Sequence, residues 1–584
     1  MANGAESGVV QAFRTGNLTC ALGAYRDNLL RELSDLRKGD FVNRLWHKDA
    51  SLWTGKDESQ WLGWLDIVAT QQQKLEQFAN IAKLVRERGF KSAVLLGMGG
   101  SSLCVEVMRT TFAAQPGYPV MHVLDSVVPA QVEEIRRQID PASTLFIVAS
   151  KSGSTTEPNV LCQYFFEETR KIVNEKVGEH FIAITDPGSS MEKRAQDWKF
   201  WQIFHGDPTI GGRFSALSHF GMIPAAIMGL DTKRLLDAAD AMAKECHETD
   251  PEKNPGVFLG TIMGVLARDG RRDKVTITAS PDIHSLGTWL EQLIAESTGK
   301  DNKGLIPVAA ESTGTPSSYG QDRLFVYLRL ADKACSEQDS KIAALEQAGH
   351  PVVRIELKDS HEIGAEFFRW EVATAAAGSI LGINAFNQPN VQESKDFTKD
   401  YLKKFVESGS LPQNKLIHEE NGIKFYADEA MVKTLMAAGN KTTITSLLQA
   451  LLGTLKEGDY FAMNAYIKCC DEYAQKLQQP RDQVMLKHKV ATTIGFGPRF
   501  LHSTGQLHKG GPNSGVFLQI TADDAVDLPI PDEKFTFGIL KEAQSLGDFQ
   551  ALSSRHRRLL RMHLSADVSA GLKMLAEKIK EASA

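Results

Sequence analysis

Three short apolar runs, at 92–96, 144–149 and 181–185, each end in a turn rich in Gly, Ser or Pro and then give way to a helical pattern or a Pro-Gly stop. Strands spaced by helices in this way predict βαβ units and a parallel sheet, so the chain is read as α/β. The alternation returns with strands at 275–278, 324–330 and 352–357 and helices near 287–297, 337–348 and 365–381. Two α/β lobes follow, at 91–250 and 251–406, divided near the break at Asp250–Pro255. Ahead of them, apolar residues at helical spacing over 21–37 and 61–88 predict a helical lead-in over 1–90. Beyond a further helix at 398–406, residues 407–584 mix helices over 430–455 with a strand-like 515–520. That region is expected to be an appended α+β unit.

Composition narrows the class. Of 584 residues, 42% are apolar and 24% charged, close to the globular average and far from disordered or fibrous chains. A net charge of −6 argues against nucleic acid or an anionic membrane as the partner of the whole chain. The longest uncharged stretches, such as 372–386, are too short to span a bilayer, and residues 1–30 carry no long apolar run of a secretory signal. Seven scattered cysteines without C-x-x-C spacing predict free thiols in a reducing cytoplasm, not a disulfide or zinc framework.

Two turns carry chemistry. Gly97-Met98-Gly99-Gly100-Ser101-Ser102 sits where a strand meets a helix, where inward backbone N–H groups and the helix N-terminus favour a phosphate. Alone, such a turn equally fits a tight βα connection with no ligand. Ser150-Lys151-Ser152-Gly153-Ser154-Thr155-Thr156-Glu157 adds five hydroxyls and a lysine, more than a helix cap requires. Neither turn has the P-loop pattern, and the first lacks the third glycine of a dinucleotide fingerprint.

With three further segments these turns resemble the phosphoglucose isomerase family. The segments are Gly211-Gly212-Arg213-Phe214-Ser215, Glu296-Ser297-Thr298-Gly299-Lys300, and Phe386-Asn387-Gln388-Pro389-Asn390-Val391-Gln392-Glu393-Ser394-Lys395. All five occur in the family's order between about residues 90 and 400. The chain as a whole is most similar to the isomerase half of bifunctional transaldolase/phosphoglucose isomerase polypeptides. The resemblance implies two sugar-isomerase (SIS) lobes and reversible interconversion of glucose 6-phosphate and fructose 6-phosphate through a cis-enediol(ate). It implies no metal or organic cofactor, a sugar-phosphate substrate, and a cytoplasmic homodimer.

The same resemblance assigns roles. Glu296 matches the base that moves a proton between C1 and C2, a task suited to a carboxylate of tuned pKa. Arg213 matches the arginine facing the enediolate oxygen, and Lys395 the lysine that assists ring opening. Gly100, Ser101, Ser150, Ser152 and Thr155 match the phosphate contacts, with Lys151 as nearby positive charge. Pro389, Asn390 and Gln392 depart from the residues common in the lysine segment. The family's ring-opening histidine has no secure match; His350, His361, Asp322, His502 and His508 are the candidates, the last two in a basic Gly-rich stretch at 497–512. A non-catalytic sugar-phosphate sensor would need no base at C2. An isomerase of another phosphosugar, such as mannose 6-phosphate, differs only in pocket shape. A transaldolase would need a Schiff-base lysine on an eight-fold βα barrel, which the lobes do not spell.

Overall fold

A computed structural model describes residues 13–437 and 442–583. The opening of the secretory-signal reading, residues 1–12, and part of the 430–455 helical stretch, residues 438–441, lie outside the described residues.

The chain begins with a hairpin, β1 (Phe13–Thr15) and β2 (Leu18–Ala21), turned at Gly16, whose φ of +56° suits glycine. This corrects the wholly helical lead-in. The helices Arg26–Lys38 and Leu75–Glu87 are present, but 61–88 is not continuous, since one-turn segments and the helix Ile67–Gln72 precede Leu75.

The first sheet holds β3 (Ser92–Gly97), β4 (Val120–Leu124), β5 (Thr144–Ala149), β6 (Phe181–Thr185) and β7 (Gln202–His205). All pairs are parallel, in the order β4-β3-β5-β6-β7. Connections leave β3 and β5 in opposite directions, which opens a crevice at their carboxyl ends. The two Gly/Ser-rich turns occupy that crevice.

The second sheet holds β8 (Lys274–Ala279), β9 (Ile306–Ala309), β10 (Arg323–Leu330) and β11 (Val352–Leu357), all parallel. The N-terminal hairpin completes its edge, β2 lying antiparallel to β11.

A third sheet follows: β12 (Leu416–Glu420), β13 (Ile423–Tyr426), β14 (Tyr460–Tyr466), β15 (Ala491–Phe496), β16 (Gly515–Ala522) and β17 (Arg558–Leu564). Its order is β12-β13-β17-β16-β14-β15. The last four strands are parallel and joined by crossover helices, while β13 runs antiparallel to both its neighbours, β12 and β17. The region read as α+β therefore continues the βαβ plan of the lobes, with a hairpin on one edge.

Buried charges fasten the third region to both lobes. Arg323 donates to Glu311 at 2.9 Å, and Glu311 accepts from the amide and hydroxyl of Thr492 at 2.9 and 2.7 Å. Arg481 donates to the carbonyls of Ala309 and Ala310, each at 2.8 Å. On the first lobe, Arg499 donates to Asp125 at 2.6 Å. Such pairs add little net stability over apolar packing but tolerate only one docking geometry, because separating either partner leaves a charge buried alone. All seven cysteines are free, and no helix among the described residues is long and apolar enough to cross a membrane.

Candidate active site

A cavity of about 400 Å³ lies where the three sheets meet. One wall is the turn at 99–101, whose close packing depends on glycine. Gly99 has φ +55°, and a Cβ on Gly100 would fall 2.0 Å from the carbonyl oxygen of Gly212. This turn and the turn that launches Arg213 therefore touch backbone to backbone.

Arg213 is 3% exposed and fully engaged. It donates to Ser297 Oγ at 2.6 Å, Gln388 Oε1 at 3.0 Å, and the carbonyls of Ala385 and Asn387 at 2.7 and 3.2 Å. Its Nη1 stands 3.8 Å from Glu296 Oε1. Burial lowers the guanidinium pKa, and the Glu296 charge opposes that shift. Lys300, also buried, donates to Asn384 O at 2.8 Å and to Asn387, so the loop after the helix Ile363–Leu381 is held from two sides.

Glu296 is in the last turn of the helix Leu286–Thr298, with its side chain 12% exposed toward the cavity. Gln292, one turn earlier on the same face, donates from one nitrogen to Glu296 Oε2 at 3.0 Å and to the backbone carbonyl of His502 at 2.8 Å. The amide thus fixes the carboxylate and ties it to the third region.

His502 lines this cavity and a smaller adjoining one of about 160 Å³. Its Nε2 lies 2.9 Å from Glu157 Oε1, an oxygen that also accepts from Gln544 at 2.7 Å. Burial of Glu157 raises its pKa, but the charge and hydrogen bond of His502 outweigh it, and the carboxyl is held below the usual carboxylate range. Nε2–H is given to Glu157, which leaves Nδ1 as the imidazole's other polar atom. The other candidates for this place sit elsewhere. His350 is packed among Tyr319 and Phe325, and His361 lies beside Phe112 and Asp359. Asp322 pairs with Lys274 at 3.2 Å, and His508 is buried among Tyr460, Phe500 and Phe517.

The expected phosphate residues separate. Gly100, Ser101, Lys151, Ser152 and Thr155 line the larger cavity, with Thr155 directly before the helix Thr156–Val173. Ser150 does not: it is 2% exposed, and its hydroxyl is buried with no hydrogen-bond partner among the described residues. As the first residue past β5 it still follows the buried strand inward. Lys151 is committed as well, donating to Asp186 at 2.5 Å and to the carbonyl of Asp207 at 2.8 Å. Lys395, on the helix Val391–Ser408, is exposed and lines the smaller cavity with Glu157, His502 and Thr155, not the larger one with Glu296.

Gln292 and Glu157 were not singled out from the sequence. The first had a local signal in its one-turn spacing from Glu296, and the second sits at the end of the hydroxyl-rich turn. Among the described residues no group of three His, Cys, Asp or Glu side chains could hold a metal ion.

Residues 69–322 match the family model described as phosphoglucose isomerase. A probable glucose-6-phosphate isomerase of Methanococcus maripaludis is 28% identical over 378 residues, covering 58% of this chain and 84% of that protein. The glucose-6-phosphate isomerase of Methanocaldococcus jannaschii is 26% identical over 395 residues, covering 62% and 94% respectively. The crystal structure of a glucose-6-phosphate isomerase from Chlamydia trachomatis shares the fold, with a TM-score of 0.58 at 19% identity over 68% of this chain and 90% of that one. Residues 69–322, which hold both Gly/Ser-rich turns, Arg213 and Glu296, are thus similar to the phosphoglucose isomerase family.

Proposed function

We propose that the protein interconverts glucose 6-phosphate and fructose 6-phosphate. The observation that carries this reading is the placement of Glu296 beside Arg213 in the cavity that the Gly99–Ser101 turn also lines. With the phosphate on Gly100, Ser101, Ser152 and Thr155, the sugar extends toward Glu296. The carboxylate removes the proton from C2 of the aldose and returns it to C1 while the hydroxyl proton passes from O2 to O1, giving the ketose; the reverse path uses the same atoms. Charge that develops on the enediolate oxygen faces Arg213, whose fixed hydrogen bonds mean that no reorganisation is needed as it forms. A carboxylate that both accepts and donates the proton calls for no metal or organic cofactor.

His502, poised by Glu157, is placed to exchange the ring proton, with Lys395 assisting from the adjoining cavity. His502→Asn is expected to lower turnover of the cyclic hexose 6-phosphates by about 10²-fold. A tetrose 4-phosphate, which has no free hydroxyl able to close a ring, should keep near-parent C2 proton exchange in that variant. Equal losses on both substrates would refute the ring-opening role.

The activity itself is tested by a coupled assay on purified protein with glucose, fructose and mannose 6-phosphates. Turnover of the first two is expected, and its absence would leave the sensor reading. We further infer a homodimer working in the cytoplasm, supported by the family resemblance and by seven cysteines kept as thiols. Sedimentation equilibrium should then return twice the chain mass of 64.3 kDa, and the single-chain mass would overturn the dimer.

A further inference from the structure

A second cavity, of about 330 Å³, opens in the third sheet at the carboxyl ends of β16 and β17 and shares no lining residue with the active-site cavity. Register places Lys424, His563 and Thr521 in one row across β13, β17 and β16, and Tyr426, Arg561 and Gln519 in the next. Rows two residues apart share a face, so these side chains form one surface. The helix Phe537–Ser554 closes its flank through Lys541 and Ser545.

Arg561 stands out on this surface. It is 5% exposed, yet no carboxylate lies within 4.0 Å of it among the described residues. Its Nε donates to Thr521 Oγ1 at 3.2 Å and its guanidinium lies 5.5 Å from the centre of the Tyr426 ring, but Nη1 and Nη2 have no hydrogen-bond partner among the described residues. A buried guanidinium without an anion is costly unless something completes it. Of the neighbouring acids, exposed Glu542 acts on Arg561 through its charge without pairing with it, and the aspartates are otherwise occupied. Asp524 pairs with Lys541 at 2.7 Å, and Asp523 with His563 Nε2 at 3.1 Å. Asp527 accepts the amides of Leu528 and Gly538 at 2.8 and 2.7 Å. Thr521 Oγ1 must accept from Arg561 Nε, so its own hydrogen goes to His563 Nδ1, 2.8 Å away, and the imidazole donates to Asp523. This relay fixes Arg561 with its two terminal nitrogens presented to the cavity. Lys424 is half-buried on the same face, and the side-chain nitrogen of Asn414, also on the wall, is buried without a partner.

We propose that this cavity binds a small phosphate monoester, its phosphate forked by Arg561 and neutralised with Lys424, and its hydroxyl-bearing body turned toward the acidic rim of Asp523, Asp524 and Glu542. Two cations match a dianionic head, and the planar guanidinium presents parallel donors to two phosphate oxygens. The same acidic rim disfavours polyphosphates such as nucleoside triphosphates.

The site is independent of the isomerase reading and is tested on the full chain. Hydrogen–deuterium exchange with glycerol 3-phosphate is expected to show protection over 519–524 and 558–564, apart from any protection of 97–102 by active-site binding. Arg561→Gln should weaken that protection at least tenfold while isomerase turnover stays near the parent value. Should that variant fail to fold, Lys424→Gln, at a half-exposed position, carries the test with an expected loss of several fold. Absence of protection at about 10 mM ligand, or protection unchanged in the variants, overturns the site. Protection by gluconate but not by glycerol 3-phosphate overturns the phosphate assignment.

Discussion

Glu296→Gln is expected to lower kcat by about 10³-fold with KM within about threefold of the parent, as befits loss of a general base that leaves binding intact. Glutamine is nearly isosteric, and its carbonyl oxygen can still accept from Gln292, which now meets Glu296 Oε2 at 3.0 Å. The one property removed is the ability to take and return a proton. Exchange of the C2 proton with solvent should vanish in parallel with turnover. A variant within tenfold of the parent would remove Glu296 from the mechanism.

Arg213→Met is expected to reduce kcat/KM by about 10³-fold, the scale of losing a preorganised electrostatic partner of the transition state. The change also strands the carbonyl of Ala385, now bonded at 2.7 Å, and removes one of the two donors to Asn387 O, so the melting temperature should fall too. Arg213→Lys separates the two effects. It keeps the charge but cannot span Ser297, Gln388 and the two carbonyls at once, so it should recover less than tenfold of the lost activity. Lys300 continues to hold Asn384 and Asn387, which preserves the loop in both variants. Full activity in Arg213→Lys would mean that charge alone, and not the fork, faces the substrate.

The legible part of the site is the part encoded locally. Gly99, Gly100 and the Ser/Thr-rich turn mark strand-to-helix transitions because their backbone demands and capping chemistry are written within a few residues. Glu296 and Arg213 entered only through the resemblance of their short segments to a family. The two lobes are legible because their strands and helices are long enough to show a period. The N-terminal hairpin was not, since strands of three and four residues show almost no alternation and β2 finds its partner at β11, more than 300 residues away. The C-terminal sheet was visible only at 515–520, and β14, β15 and β17 took shape only once their crossovers were packed.

Side-chain direction was equally closed to inspection. Ser150 and Ser152 stand two residues apart in the same hydroxyl-rich turn, yet one is buried and the other faces the cavity. Lys151 read as free positive charge, and folding gave it Asp186 as a partner.

By itself, then, the amino-acid sequence determined the α/β class and the two Gly/Ser-rich turns, because each rests on a short-range pattern, while the proposed roles of Glu296 and Arg213 came from the resemblance of their segments to a family. Only the tertiary structure decided that His502, some 200 residues beyond Glu296, closes the same cavity through Glu157 and Gln292. Contacts between elements so far apart in the chain depend on how three sheets dock, and docking is settled by buried surfaces and charge pairs such as Arg323–Glu311 that no local stretch encodes.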